Sequence, residues 1–132
     1  MIALDTNVLV RFLVQDDPAQ ADAARSLIDR CSRKNPAFVC REVLIETVWV
    51  LESAYRFSPA VIADAITGLL EAEEFVIEAG ADAFVAALAY RDGMADFADH
   101  MIAAAAMRAG CATLYTFDRK AARHRAATLL VK

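Results

Sequence analysis

The chain has little of what would place it outside the cell or in a membrane. Its 132 residues hold three cysteines, Cys31, Cys40 and Cys111. They are odd in number, widely spaced and in no C-x-x-C pair. A disulfide frame and a cysteine zinc site are therefore not expected, and free thiols in a reducing cytoplasm are the simple reading. The first residues, Met1-Ile2-Ala3-Leu4-Asp5, carry no basic segment and no cleavage-like stretch, so a signal peptide is not expected. Uncharged stretches such as Met101–Met107 fall short of a bilayer span. A net excess of basic residues is also missing. The formal charge is −4, which argues against nucleic-acid binding by bulk charge but leaves room for a local basic groove. There are two histidines, His100 and His124, and they lack the spacing of a metal pair. Repeats, low-complexity tracts and linkers are absent.

What is present suits one domain spanning residues 1–132. Hydrophobic residues make up 58% of the chain and charged residues 24%, enough for a single sizeable core under a soluble surface. Short apolar runs at Ile2–Leu4, Phe38-Val39, Phe75–Ile77, Thr113–Phe117 and Thr128–Val131 read as strands. Helical patterns cover Val8–Val14, Ala19–Arg30, Glu42–Arg56, Pro59–Glu71, Asp82–Tyr90 and Asp96–Ala109. Asp17-Pro18 and Ser58-Pro59 have the form of a cap followed by proline in the first turn, and Gly110 is a stop signal. The second helix is expected to bury Ala23 and Leu27, with Ala24 and Ile28 beside them, and Trp49 is expected in the core. Alternating strands and helices predict an α/β fold, three-layer α/β/α, with a mostly parallel central sheet of four or five strands covered on both faces.

Acidic residues stand where such a fold puts ligand sites. Asp5 follows the first strand and Asp118 the fourth, and ligands of open α/β sheets bind beyond the carboxyl ends of the strands. Asp99 lies in the first turn of the alanine-rich helix, with Asp96 three residues before it. Glu46 interrupts the apolar run Val43–Leu51, where a buried charge would need a partner. Each acid has a plainer reading. Asp5, Asp96 and Asp118 are good helix caps, Asp99 is a good first-turn acid, and Glu46 can point to solvent. A residue can serve both as cap and as metal ligand. Clustered carboxylates without nearby histidine or cysteine favour a hard cation, Mg²⁺ or Mn²⁺, and the chemistry that suits such a site is phosphodiester hydrolysis.

Asp5-Thr6-Asn7 after an apolar strand, Glu46 in Ile45–Leu51, Asp96-Phe97-Ala98-Asp99 before an apolar helix, and Thr116-Phe117-Asp118 before Arg119-Lys120 together resemble the PIN-domain ribonucleases. More narrowly, the chain looks like a VapC-type toxin of a type II toxin–antitoxin pair. The resemblance covers essentially the whole chain. It implies a PIN-like fold and a metal-dependent endoribonuclease with catalytic Asp5, Glu46, Asp99 and Asp118. Asp5, Asp99 and Asp118 would be the Mg²⁺ or Mn²⁺ ligands, and Glu46 would hold a ligating or attacking water. Asp96 would be an accessory acid, while Asn7 and Thr116 would orient the acids by hydrogen bonds. It also implies an RNA substrate, a cognate VapB-like antitoxin and a homodimer, with no membrane.

Arg119, Lys120 and Arg123, in a basic run with His124 and Arg125, are candidate RNA contacts beside Asp118; the alternative is a solvated helix end. His100 reads as a packed or surface residue. Arg11 and Arg41 are expected to flank the groove. Two rival acidic-site classes fail on spacing. A haloacid-dehalogenase-type phosphatase needs an Asp two residues after Asp5, where Asn7 stands. A receiver domain needs an Asp after Phe38-Val39, and none follows. A catalytically silent PIN-like module that binds RNA or protein remains the alternative.

Overall fold

A computed structural model describes residues 1–131. The elements run β1 (Ile2–Ala3), α1 (Thr6–Val14), α2 (Pro18–Asp29), β2 (Ala37–Val39), α3 (Arg41–Ser53), α4 (Pro59–Glu71), β3 (Phe75–Ile77), α5 (Gly80–Arg91), α6 (Phe97–Arg108), β4 (Leu114–Thr116), a single 3₁₀ turn (Ala121–Arg123) and β5 (Ala127–Leu129). Helix starts follow the local chemistry. The Asp17 carboxylate accepts from Gln20 N–H at 3.1 Å with Pro18 beginning α2, and Ser58 accepts from Val61 N–H at 3.3 Å with Pro59 beginning α4. Gly110 follows α6 with a φ of 82°, the left-handed conformation that ends a helix most easily with glycine.

All strand pairs are parallel, and the α/β/α arrangement expected from the sequence is present. β1, β2 and β3 form one ladder in that order, with Ile2 opposite Ala37 and Ala37 opposite Phe75. β4 and β5 form a second ladder, with Leu114 opposite Ala127. The five strands thus divide three and two rather than forming one continuous ladder. Coverage is also incomplete. β1 is a two-residue edge strand with both residues exposed, and only the following Leu4 reaches the core. α1 packs against α2 and α3, while α5 packs between α4 and α6.

Leu9, Val39, Leu44, Val48, Ile62, Phe97 and Met101 are the large, fully buried side chains at the centre. α2 buries Ala21, Ala24 and Ile28. Of the face expected there, Ala23 is exposed and Leu27 half-buried, and both line a hollow between α2 and α1. On α3 the buried residues Leu44, Thr47, Val48 and Leu51 recur at helical spacing. The opposite face carries Glu42, Glu46 and Trp49, all exposed. Trp49 is 64% exposed, which corrects the expectation that it lies in the core. It stands three residues after Glu46 and seven after Glu42, spacings that share one helical face. Among the described residues no helix is long and apolar enough to cross a membrane.

Candidate active site

Asp5 ends the β1 segment and caps α1, its carboxylate accepting from Thr6 N–H at 2.9 Å. Thr6 is buried, and its hydroxyl donates to the Glu46 carboxylate. One residue therefore touches both acids, which belong to different helices' environments. The exposure of Glu46 matches its plainer reading, yet a buried hydroxyl still fixes its position.

Asp96 caps α6 and forms a capping box with Asp99; Asp96 N–H donates to Asp99 Oδ2 at 3.3 Å. Asp99 is half-buried, and its carboxyl is pushed above the usual range. Burial is the largest cause; the negative charges of Asp96 and Asp118 add to it, while the Asp96 N–H bond and His100 pull partly back. Asp96, Asp99 and Asp118 thus lie within each other's electrostatic reach although Asp118 comes from the far end of β4. Asp118 is held by its own loop. Its N–H donates to Thr116 Oγ1 at 3.0 Å, and its Oδ1 accepts from Lys120 N–H at 2.8 Å and Ala121 N–H at 3.3 Å. Lys120 Nζ reaches back to Asp96 Oδ1 at 3.0 Å. Both partners of this pair are half-exposed, so it contributes under about 1 kcal/mol to stability. Its consequence is local: it ties the loop after β4 to the start of α6.

A groove of 440 Å³ joins the two halves, with Glu46 and Trp49 of α3 on one wall and Asp96 and Phe97 at the start of α6 on the other. Glu42, Glu46, Glu52 and Asp96 line it with no histidine or cysteine among the lining residues; Asp5, Asp99 and Asp118 are not part of its wall. Carboxylate oxygens without nitrogen or sulfur donors suit a hard divalent cation, and the charges of Asp96 and Asp118 add to the burial that raises the Asp99 carboxyl. Among the described residues, no three stand close enough to form a ready-made metal cage.

The cap readings hold: Asp5, Asp96 and Asp118 each satisfy backbone N–H groups at the start of a turn or helix. Asp96 lines the groove and, with Asp118, acts on Asp99, whereas Asp5 is joined to Glu46 only through Thr6. Thr116 orients Asp118 through its backbone N–H. Asn7 does not play the part expected of it. It is exposed, lines a separate hollow beside Arg11 and Gln20, and its side chain has no hydrogen bond to an acid among the described residues. Thr6 takes that role instead. The signal was the hydroxyl between Asp5 and Asn7, which a helix beginning at Thr6 turns inward.

The basic run also divides. Lys120 stands by the acids, whereas Arg123 lines a different cavity with His124 and Arg125; Arg119 is exposed. His100 is packed, as expected, and its pKa is lowered by burial first and then by the neighbouring His124. Arg11 is committed to Asp16, Tyr55 and Gln20 at 2.9, 2.8 and 2.7 Å. Arg41 donates to the Met101 carbonyl at 3.1 Å, bracing α3 against α6.

Compared with known protein families, residues 2–127 match the PIN domain. No curated protein matches the chain.

Proposed function

The chain belongs to the PIN-domain family, a nuclease-type fold, and from that premise we propose that it is an Mg²⁺- or Mn²⁺-dependent endoribonuclease acting as the toxin of a type II toxin–antitoxin pair. The observation that carries the reading is the grouping of acids from separate elements: Glu46 and Asp96 line one groove, and Asp96 and Asp118 act on the half-buried Asp99. Mutually repelling acids cost stability, and a divalent cation offsets that cost.

In this reading Asp5, Asp99 and Asp118 hold the cation. When bound, it lowers the pKa of water and neutralises charge on the scissile phosphate. Glu46, steadied by Thr6, accepts a proton from the attacking water, and hydrolysis leaves a 5′-phosphate. Thr116 keeps the Asp118 loop in place. Asp96 fixes the start of α6 and so the direction of Asp99. Lys120, now paired with Asp96, is placed to meet a phosphate on the incoming strand.

A second reading, a catalytically silent module that binds RNA or protein, is favoured by one fact: no three acids form a ready-made cage among the described residues. Expression separates the toxin from it. The chain alone is expected to arrest growth, and co-expression of the adjacent reading frame, as a VapB-like antitoxin, to relieve the arrest. Growth unaffected at every expression level rejects the toxin role. An antitoxin segment entering the groove and a homodimer belong to the same proposal.

A further inference from the structure

A second cavity, of 680 Å³, lies between α5, α6 and the segment leading into β5, and it shares no lining residue with the acidic groove. Its size falls within the range of small-molecule sites. His100, Ala104, Met107 and Arg108 line it along one face of α6, while Arg123, His124 and Arg125 close it from the other side.

Two buried polar atoms in this wall have no partner. They are His100 Nε2, on a residue only 3% exposed, and Asp82 Oδ2. Asp82 spends its other oxygen on Arg108. His124 Nδ1 accepts from Ala126 N–H at 3.0 Å, which leaves its Nε2 to carry the proton. Arg123 and Arg125 have no ion-pair partner among the described residues. Three arginines thus line a cavity with one carboxylate residue, Asp82, already paired with Arg108, on a chain whose net charge is −4.

These features ask for three things in one ligand. The arginines ask for an anion, and guanidinium suits phosphate oxygens in particular. Asp82 Oδ2 asks for a hydrogen-bond donor. The apolar part of the wall, Val85, Met94 and Met107 among it, asks for a flat or apolar body. A bare phosphate leaves the apolar wall and Asp82 unserved, and a fatty anion leaves Asp82 and His100 unpaired. A nucleotide supplies phosphate, hydroxyl or amino donors, and a base. We propose that this cavity is a nucleotide-binding site, with phosphate on Arg123 and Arg125 and the base against the methionines. Its source is either a free nucleotide or one unit of a strand. The proposal does not rest on the acidic groove being catalytic.

Calorimetry with adenosine 5′-monophosphate and anisotropy with a short single-stranded RNA, both in chelator to prevent cleavage, test it. Saturable binding of the free nucleotide identifies the first source. Binding by RNA alone identifies the second. In either case the double variant Arg123→Gln, Arg125→Gln is expected to weaken binding about tenfold or more. Glu42→Gln, on the groove wall, is expected to leave binding of the free nucleotide unchanged. The His100 ring signals of ¹⁵N-histidine-labelled protein are expected to move with the ligand. Both arginines are exposed, and an unchanged melting temperature checks that the double variant is folded. Three results overturn the proposal: no binding of either probe, binding that survives the arginine substitutions, or adenosine binding as well as its phosphate. Loss of a dimer on arginine substitution, with no nucleotide bound by wild type, also overturns it and assigns the face to a second copy of the chain.

Discussion

The buried hydroxyl of Thr6, on α1, donates to the carboxylate of Glu46, on α3, across 40 residues of sequence. The same residue gives its N–H to Asp5. Thr6 is thus the physical link between the acid after β1 and the acid on α3, and the proposed proton acceptor depends on it for position.

Thr6→Val keeps the shape and removes the donor. Glu46 is exposed and regains water, so the stability cost is about 1 kcal/mol, a few degrees in melting temperature. RNA cleavage is expected to fall at least about tenfold through kcat, since misplacing a proton acceptor costs this much or more. Thr6→Ser, which restores the donor, is expected to recover most of the rate. Thr6→Val cutting at the wild-type rate would remove Thr6 from the account.

Trp49 is the single tryptophan and lies exposed on the wall that carries Glu46. An exposed indole beside a strand-binding groove is a stacking platform for an unpaired base. Single-stranded RNA in chelator is expected to quench its fluorescence. Trp49→Ala is expected to weaken RNA binding by about 1–3 kcal/mol, the usual worth of one stacked base. The melting temperature should hardly change, because the side chain is outside the core. Emission unmoved by saturating RNA would place the strand elsewhere.

Asp16, Tyr55 and Arg11 form a cluster away from the acids. The Asp16 carboxyl is held below its ordinary value, first by the Tyr55 hydroxyl at 2.7 Å and then by the charge of Arg11. A carboxyl lowered by folding stabilises the folded state at pH values above its unfolded pKa. That contribution is lost as pH falls from the ordinary value of 3.8 through the lower folded one. Tyr55→Phe is therefore expected to move the Asp16 titration up toward 3.8, followed by carboxyl NMR, with stability near neutral pH slightly reduced. A titration that stays put would mean that Arg11 alone holds the carboxylate.

The helix starts were readable because their chemistry is local. Asp17-Pro18, Ser58-Pro59 and the Asp96–Asp99 box each specify a start within a few residues, and the structure uses all of them. The acids at strand ends were readable for the same reason. Trp49 was misread because an aromatic in an apolar run looks like core; only the rotation of α3 shows that it shares the exposed face of Glu46. Thr6 was missed because its role depends on the meeting of α1 and α3, which no neighbouring residue encodes. The basic run looked like one patch in sequence. It divides because the chain turns after Arg123 into β5 and carries Arg123 and Arg125 toward α5 and α6, leaving Lys120 with Asp96.

Cleavage of single-stranded RNA by the purified chain, free of any antitoxin, bears most directly on the acidic site. Wild type, Asp5→Asn and Asp99→Asn are compared in Mn²⁺ and in chelator, with the fold of each checked by its melting temperature. The expected result is cutting by wild type in Mn²⁺ alone, arrest by chelator, and a loss of about a hundredfold or more in both variants. Cutting that persists in chelator, or folded variants that cut as fast as wild type, would contradict the account.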